Sequence, residues 1–392
     1  MNEQADYETD REDGRYQTSL GFCHHLLANH TPRLAYHDGL SGAAWPTWQA
    51  AVRDKLTELM GFPEETAQPP PRRLWACGRQ GYRLEKWEAY PEPSSVVPFL
   101  MLVPDHVDTE HPGAAVLCFP GSATTKELLA GEPELDSRQP ANRHPERNQM
   151  ALHYVRAGLA AVVLENPGTG ELAAGADTAS SVGRGREKLA TELILLGRNY
   201  VGLSVFQKRH VLHWLRNLDY IDSERIAVSG HSLGTEPAMV MAVLDPGIRA
   251  LVFNDFLCHT LTRYATMAPP ADGQWQITTP LWHLIPGFQR WFDFPDLLAA
   301  VAPRPLLITE GGLTAQLRRV AGAYAAVGAA DQFTYHYYPK FADAANRPRD
   351  GEPLPRSLTM AEFLERANVD VPNHCFKENL AVPWLCGVLR QS

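Results

Sequence analysis

Apolar positions recur along this chain in two rhythms, one of helical period and one of strand period. Between residues 44 and 61, Trp45, Trp48, Ala51, Val52, Leu56, Leu59 and Met60 return at three- and four-residue steps. That stripe predicts an amphipathic helix. Gly61 and Pro63 stop it, and Pro69-Pro70-Pro71 reads as a linker. The first twenty residues are polar and charged and are expected to be loose. Beyond the linker the period shortens. Residues 83–90 alternate in character and 96–103 are almost wholly apolar, which suits the antiparallel opening of a sheet. Residues 114–119 and 160–164 are short apolar runs ending in Pro120-Gly121 and Asn166-Pro167-Gly168. Such runs are the signature of buried parallel strands. A helical stretch at 203–219 places Val211, Leu212, Leu215 and Leu218 on one face, and further strands follow at 226–228, 250–253, 305–309 and 333–338. Strands alternating with helices predict an α/β fold, a mostly parallel central sheet with helices on both faces.

Two stretches depart from the alternation. Residues 259–296 carry Tyr264, Trp275, Trp282, Phe288, Trp291, Phe292 and Phe294 between two strands. That is too long and too aromatic for a plain connection, so an aromatic-rich lid or pocket wall is expected, with Trp275, Trp282 and Trp291 against the substrate. A second long loop runs over 340–373. The organisation expected is an N-terminal tail and helical segment, 1–70, packed on a single domain, 71–392.

The chemistry concentrates at Gly230-His231-Ser232-Leu233-Gly234. A strand precedes it and the helix-compatible run 238–243 follows, which is the setting of a nucleophile elbow. The glycines permit a strained, tightly packed turn, and Ser232 is the expected nucleophile. A serine hydroxyl needs a histidine to take its proton and an acid to orient that histidine. Chains built on this turn carry the three in the order serine, acid, histidine. His374 alone lies beyond the last strand, so it is the expected base. His336 falls within a strand, and His24, His25 and His30 come too early. Two strand-end carboxylates can serve as the acid. Asp255 closes the run 250–253 and Glu310 closes 305–309. Asp255 is preferred because a strand end holds a short carboxylate rigidly. The oxyanion donors expected are the backbone N–H groups of Leu233 and of Ser122, since Pro120 has none to offer.

Charge and cysteines narrow the partners. The 392 residues carry a formal net charge of -9, which argues against nucleic acid. No apolar run reaches the length of a membrane span. The polar, acidic start lacks the pattern of an export signal, and the six cysteines include no C-x-x-C pair. Cys118 and Cys258 are expected to be buried thiols. The expectation is a cytoplasmic protein with reduced thiols. The oligomeric state stays open.

The chain resembles the acetyl xylan esterase-like and dienelactone hydrolase-like branch of the α/β-hydrolases over residues 45 to 390. The segments carrying this resemblance are Trp48 to Gly61, Pro120-Gly121 with Thr125-Lys126-Glu127, Asn166-Pro167-Gly168-Thr169-Gly170, Gly197 to Leu218 and Asp222 to Gly234. Ala302-Pro303-Arg304-Pro305-Leu306-Leu307-Ile308 and Asn373-His374 complete it. It implies an α/β-hydrolase fold and a serine esterase with a Ser-His-acid triad, an acyl-enzyme intermediate, a small-molecule ester substrate and no metal or cofactor. Two positions depart from the family pattern. Pro120-Gly121 replaces the usual His-Gly of the oxyanion loop, and Thr314 occupies the usual place of the acid. A peptidase or amidase on the same fold would carry the same serine and histidine. A hydrolase-like binding protein with a decayed triad would retain the serine.

Overall fold

A computed structural model describes residues 9, 11–122, 124–135, 145–174, 179–265, 280–355 and 358–390. Nine strands form one sheet: β1 (Arg72–Arg79), β2 (Tyr82–Ala89), β3 (Val97–Pro104), β4 (Gly113–Phe119), β5 (Ala160–Leu164), β6 (Ile221–His231), β7 (Leu251–Asn254), β8 (Leu306–Ile308) and β9 (Phe333–Tyr335). Their spatial order is β1-β2-β3-β5-β4-β6-β7-β8-β9. The first four neighbours pair antiparallel, and every pairing from β5 to β9 is parallel. The expected α/β-hydrolase architecture, with its antiparallel opening, is therefore present. β1 is the strand the apolar pattern does not announce. It lies at the sheet edge with half-exposed residues, so it carries no run of buried side chains for the pattern to reveal.

The helices are α1 (Ser19–Ala28), α2 (Ala44–Met60), α3 (Lys126–Ala130), α4 (Met150–Arg156), α5 (Ala179–Leu195) and α6 (Tyr200–Leu215). They continue with α7 (Thr235–Leu244), α8 (Thr260–Ala265), α9 (Phe294–Ala299), α10 (Thr314–Ala326), α11 (Met360–Arg366) and α12 (Glu378–Arg390). Because successive strand residues face opposite sides, β3 feeds two cores at once. Phe99, Met101 and Val103 join the larger cluster with α2, α6, α7 and α9, while Leu100 and Leu102 join the cluster under α4 and α12. Among the described residues, no helix is long and apolar enough to cross a membrane.

The expected lid is partly core. Ile285, Phe288 and Phe292 are buried in the larger cluster, and the Phe288 ring lies 5.0 Å from Phe292 and 5.5 Å from Phe294. Trp275 lies outside the described residues. The loop over 340–373 holds short 3₁₀ turns and α11, whose Thr359 and Glu362 form a reciprocal capping box.

Candidate active site

The elbow is built by close packing. Ser232 has φ 50°, in the left-handed region that non-glycine residues rarely occupy. It sits between the end of β6 and the start of α7, and Thr235 Oγ1 donates to its carbonyl at 2.6 Å. A Cβ on Gly230 would lie 2.3 Å from the Gly234 carbonyl oxygen, and one on Gly234 would lie 2.2 Å from that of Phe119. Both clashes are with backbone, so neither position admits another residue without displacement. Gly234 thereby seats the loop after β4 directly against the elbow.

That loop carries the expected oxyanion donor. A Cβ on Gly121 would stand 3.4 Å from Ser232 Cβ. The loop is tied from behind. Asn166 Nδ2 donates to the Pro120 carbonyl at 2.7 Å, and the Arg186 guanidinium donates to the Ser122 carbonyl and to Thr169 Oγ1. Asn166 is itself close to Lys208 Nζ, which donates to Ser204 Oγ at 2.7 Å and to the Glu165 carbonyl at 3.1 Å. Complete burial lowers the Lys208 pKa to about 7, although the charge of Glu165 opposes the fall. Leu233, the other expected donor, is buried in the first turn after the nucleophile.

His374 reaches the elbow from a loop just before α12. Its ring lies against that of His231, centroid to centroid 4.8 Å. Asn254, at the end of β7, grips this loop from both sides: its Nδ2 donates to the Cys375 carbonyl at 3.0 Å and its Oδ1 accepts from the Lys377 N–H at 2.8 Å.

The carboxylate that meets His374 belongs to Glu310. Its Oε2 accepts from His374 Nδ1 at 2.6 Å and from the Tyr338 hydroxyl at 2.7 Å. Its Oε1 accepts from Lys377 Nζ at 2.6 Å and from the Cys375 N–H at 3.2 Å. The expected preference for Asp255 is thus corrected. Asp255 turns back on its own chain, accepting the Phe256 N–H at 2.8 Å, and makes no hydrogen bond to His374. The longer Glu310 side chain, from the neighbouring strand, spans the gap that a short one leaves. Thr314 caps the neighbourhood rather than entering it: its hydroxyl lies 2.6 Å from both Asp350 Oδ2 and Tyr337 Oη.

Electrostatics follows from these contacts. Burial alone would raise Glu310, but the His374 hydrogen bond and the charges of His374 and Lys377 outweigh it and hold the carboxyl at about 2. Burial alone would lower His374, yet the hydrogen bond and charge of Glu310, with help from Asp255, lift it above its ordinary value. Burial drives His231 down to about 3, reinforced by the nearby charge of His374, so it stays neutral beside the base. Asp255 is pushed up to about 6 by burial, and the charges of His374 and Arg263 only partly offset this. With Nδ1 donating to a carboxylate, His374 Nε2 is left as the accepting nitrogen. A partly exposed, strained serine, a neutral-capable imidazole and a fixed carboxylate can together carry out acyl transfer.

The structure brings Ser232, Leu233, Ser122, His374 and Glu310 to one end of the sheet. The two described tryptophans of the insertion make other contacts. The Trp291 ring lies under Arg33 (5.1 Å) and Lys55 (4.2 Å) on the α2 side, held by cation–π contacts. Trp282 packs against the cluster of Ala190, Leu193 and Tyr200 and lies under Arg186 (5.7 Å), and its sequence neighbours Leu281 and His283 line a cavity of about 420 Å³. Tyr338, Lys377 and Asn254 are absent from the residues the sequence points to. A tyrosine closing the last strand and a lysine three places after the histidine are the only traces they leave.

Comparison with known proteins bears on the family and the fold. The family model described as "Abhydrolase family" matches residues 2–387. A crystal structure from Bacteroides fragilis, described as a candidate acetyl xylan esterase, is 40% identical, with TM-score 0.90 over 97% of this chain and 98% of that one. More distant structures share the fold alone. The methylesterase BT1017 is 16% identical, with TM-score 0.56 over 93% of this chain and 82% of that one. A glucuronoyl esterase from Solibacter usitatus is 13% identical, with TM-score 0.53 over 79% and 93%. No curated protein matches the sequence. A family model spanning nearly the whole chain, and a relative 40% identical along almost all of it, place this protein in the Abhydrolase family of α/β-hydrolases.

Proposed function

We propose that the protein is a serine esterase that cleaves carboxylic esters through an acyl-enzyme intermediate. The observation that carries this reading is the 2.6 Å hydrogen bond from His374 Nδ1 to the buried Glu310, beside a serine held at φ 50°. In this reading His374 Nε2 takes the Ser232 proton as Oγ attacks the ester carbonyl. The oxygen of the tetrahedral intermediate is received by the Leu233 and Ser122 N–H groups. Collapse breaks the bond to the alcohol, which leaves with the proton from His374. Water, activated by the same nitrogen, then hydrolyses the acyl-Ser232 ester. Glu310 keeps its charge throughout and stabilises the imidazolium.

The description of the Bacteroides fragilis relative supports esters of small acyl groups, acetate among them, as substrates. All six cysteines are unpaired, which favours a reducing, cytoplasmic setting.

The test is a fluorophosphonate probe combined with turnover of para-nitrophenyl acetate. Wild-type protein is expected to be labelled at Ser232 and to release nitrophenol. Ser232→Ala is expected to lose labelling and about a million-fold in kcat, falling to background. An unlabelled, folded wild-type protein would sink the reading.

A further inference from the structure

The cavity of about 420 Å³ beside the elbow has buried polar atoms in its wall left unsatisfied, Glu236 Oε2 and Gln289 Nε2. Its walls are mostly apolar, with Leu284, Ile285, Phe288 and Phe294 among them. Arg263 and Arg290 share the polar part of the wall with Glu236. Glu236 lies in the first turn of α7, four positions after Ser232. Glu236 is 7% exposed. Its Oε1 pairs with His283 Nδ1 at 2.6 Å, which fixes the carboxylate. Its Oε2 is buried with no hydrogen-bond partner. A buried polar atom without a partner in a native protein calls for an explanation, and a bound ligand is one.

Two successive contacts link the cavity wall to His374. Arg263, which lines it, stands over the Phe256 ring at 5.4 Å, and that ring lies 6.4 Å from the His374 ring. Arg263 is within electrostatic reach of Glu236. At the Glu236 oxygen, either sign of ligand charge faces a like charge nearby. A carboxylate entering the cavity meets Glu236, and an ammonium meets Arg263. A neutral hydroxyl on an apolar body gains the carboxylate oxygen and meets no opposing charge.

We propose that Glu236, oriented by His283, is a specificity-determining residue that accepts a hydrogen bond from a neutral hydroxyl on the apolar part of the ester. The inference rests on the esterase reading above, and it assigns the cavity to substrate rather than to water alone.

The experiment compares two pairs of esters: para-nitrophenyl hexanoate with its omega-hydroxy analogue, and hexyl acetate with omega-hydroxyhexyl acetate. In one pair the hydroxyl should raise wild-type kcat/KM at least about tenfold, as expected when a hydroxyl meets a buried charged acceptor. An omega-ammonium hexanoate ester should gain nothing over the plain one. In Glu236→Leu the hydroxyl ratio should fall to about one, and in Glu236→Gln, which keeps the shape, it should fall several-fold. Turnover without hydroxyl preference in either pair overturns this inference and leaves the esterase reading standing. So does a preference that survives in Glu236→Leu. If Glu236→Leu does not fold, the wild-type ratios and Glu236→Gln still decide. No turnover of any ester by wild type, para-nitrophenyl acetate included, removes the esterase reading and this one with it.

Discussion

His374 can act as a base only while its ring is neutral, and Glu310 is what sets the pH at which that happens. The carboxylate raises the histidine above 6.5 against the pull of burial, so kcat/KM is expected to fall as pH drops through that raised value. Glu310→Gln removes the raising charge and leaves burial, so the acidic limb should move to lower pH. It should also cut kcat by about 10³- to 10⁴-fold. The amide oxygen would turn to the donors Lys377 Nζ and Cys375 N–H, leaving its NH₂ to face His374 Nδ1 and impose the wrong tautomer. Asp255→Asn should leave the limb nearly in place. It should hold or raise the melting temperature at neutral pH, because Asp255 sits at about 6 in the fold against 3.8 in the open chain. A folded state that binds that proton more tightly loses stability as pH rises from 3.8 through about 6, and the neutral amide escapes this loss. Measured pH–rate profiles and melting curves of the two variants separate the acids. The tight turn at Ser232 and the late histidine that comes to it were legible from a five-residue motif and from chain order. The carboxylate that pairs with His374 was not, because its identity depends on where the Asn254-clamped loop carries His374, and sequence spacing does not encode that reach.

At the scale of elements, the site depends on the loop after β4 lying flush against the elbow, and Gly234 sets that distance. Gly234→Ala should destabilise the protein by about 1–3 kcal/mol or more, since the new methyl meets the Phe119 and Pro120 backbone rather than a movable side chain. It should also depress kcat more than it raises KM, because the displaced loop holds the proposed oxyanion donor, whose contact is made in the transition state. Gly322→Ala is the matched control. It lies within α10 with open space around it, so the same methyl should stabilise by about 0.5–1 kcal/mol. Chemical denaturation with parallel steady-state kinetics tests both. The buried parallel strands and the elbow could be read from apolar runs and glycines because burial dictates their composition. β1 could not, since an edge strand is chosen by its pairing with β2 rather than by its own pattern. Tryptophans in the insertion carry a related ambiguity: a large apolar side chain fits a cation–π stack, as Trp291 does, as readily as a pocket.

For the molecule as a whole, the question is whether the N-terminal segment is an appendage or part of the core. Trp45, Trp48, Val52, Leu56 and Met60 are the buried residues of α2, and all join the cluster that also holds α7 and α9. At about 1.5–3 kcal/mol per buried side chain, these five contribute roughly 8–15 kcal/mol, as much as the net stability of a typical domain. Polar ties reinforce the docking. Gln49 Nε2 donates to the Ala300 and Ala302 carbonyls, and Asn199 Nδ2 donates to Leu59 O at 2.8 Å. A Cβ on Gly202 would lie 1.9 Å from Met60 O, so the end of α2 is seated backbone to backbone on α6. A chain beginning at Phe62 would uncover the apolar side of α7, the helix that carries Glu236 and follows Ser232. Expressed alone, residues 62–392 are expected to be insoluble, or to melt without cooperativity and show no ester turnover. Size-exclusion chromatography and a thermal melt decide it. A monodisperse fragment with wild-type melting temperature would make the segment an appendage, and the lower layer of the active site would then be stable without it.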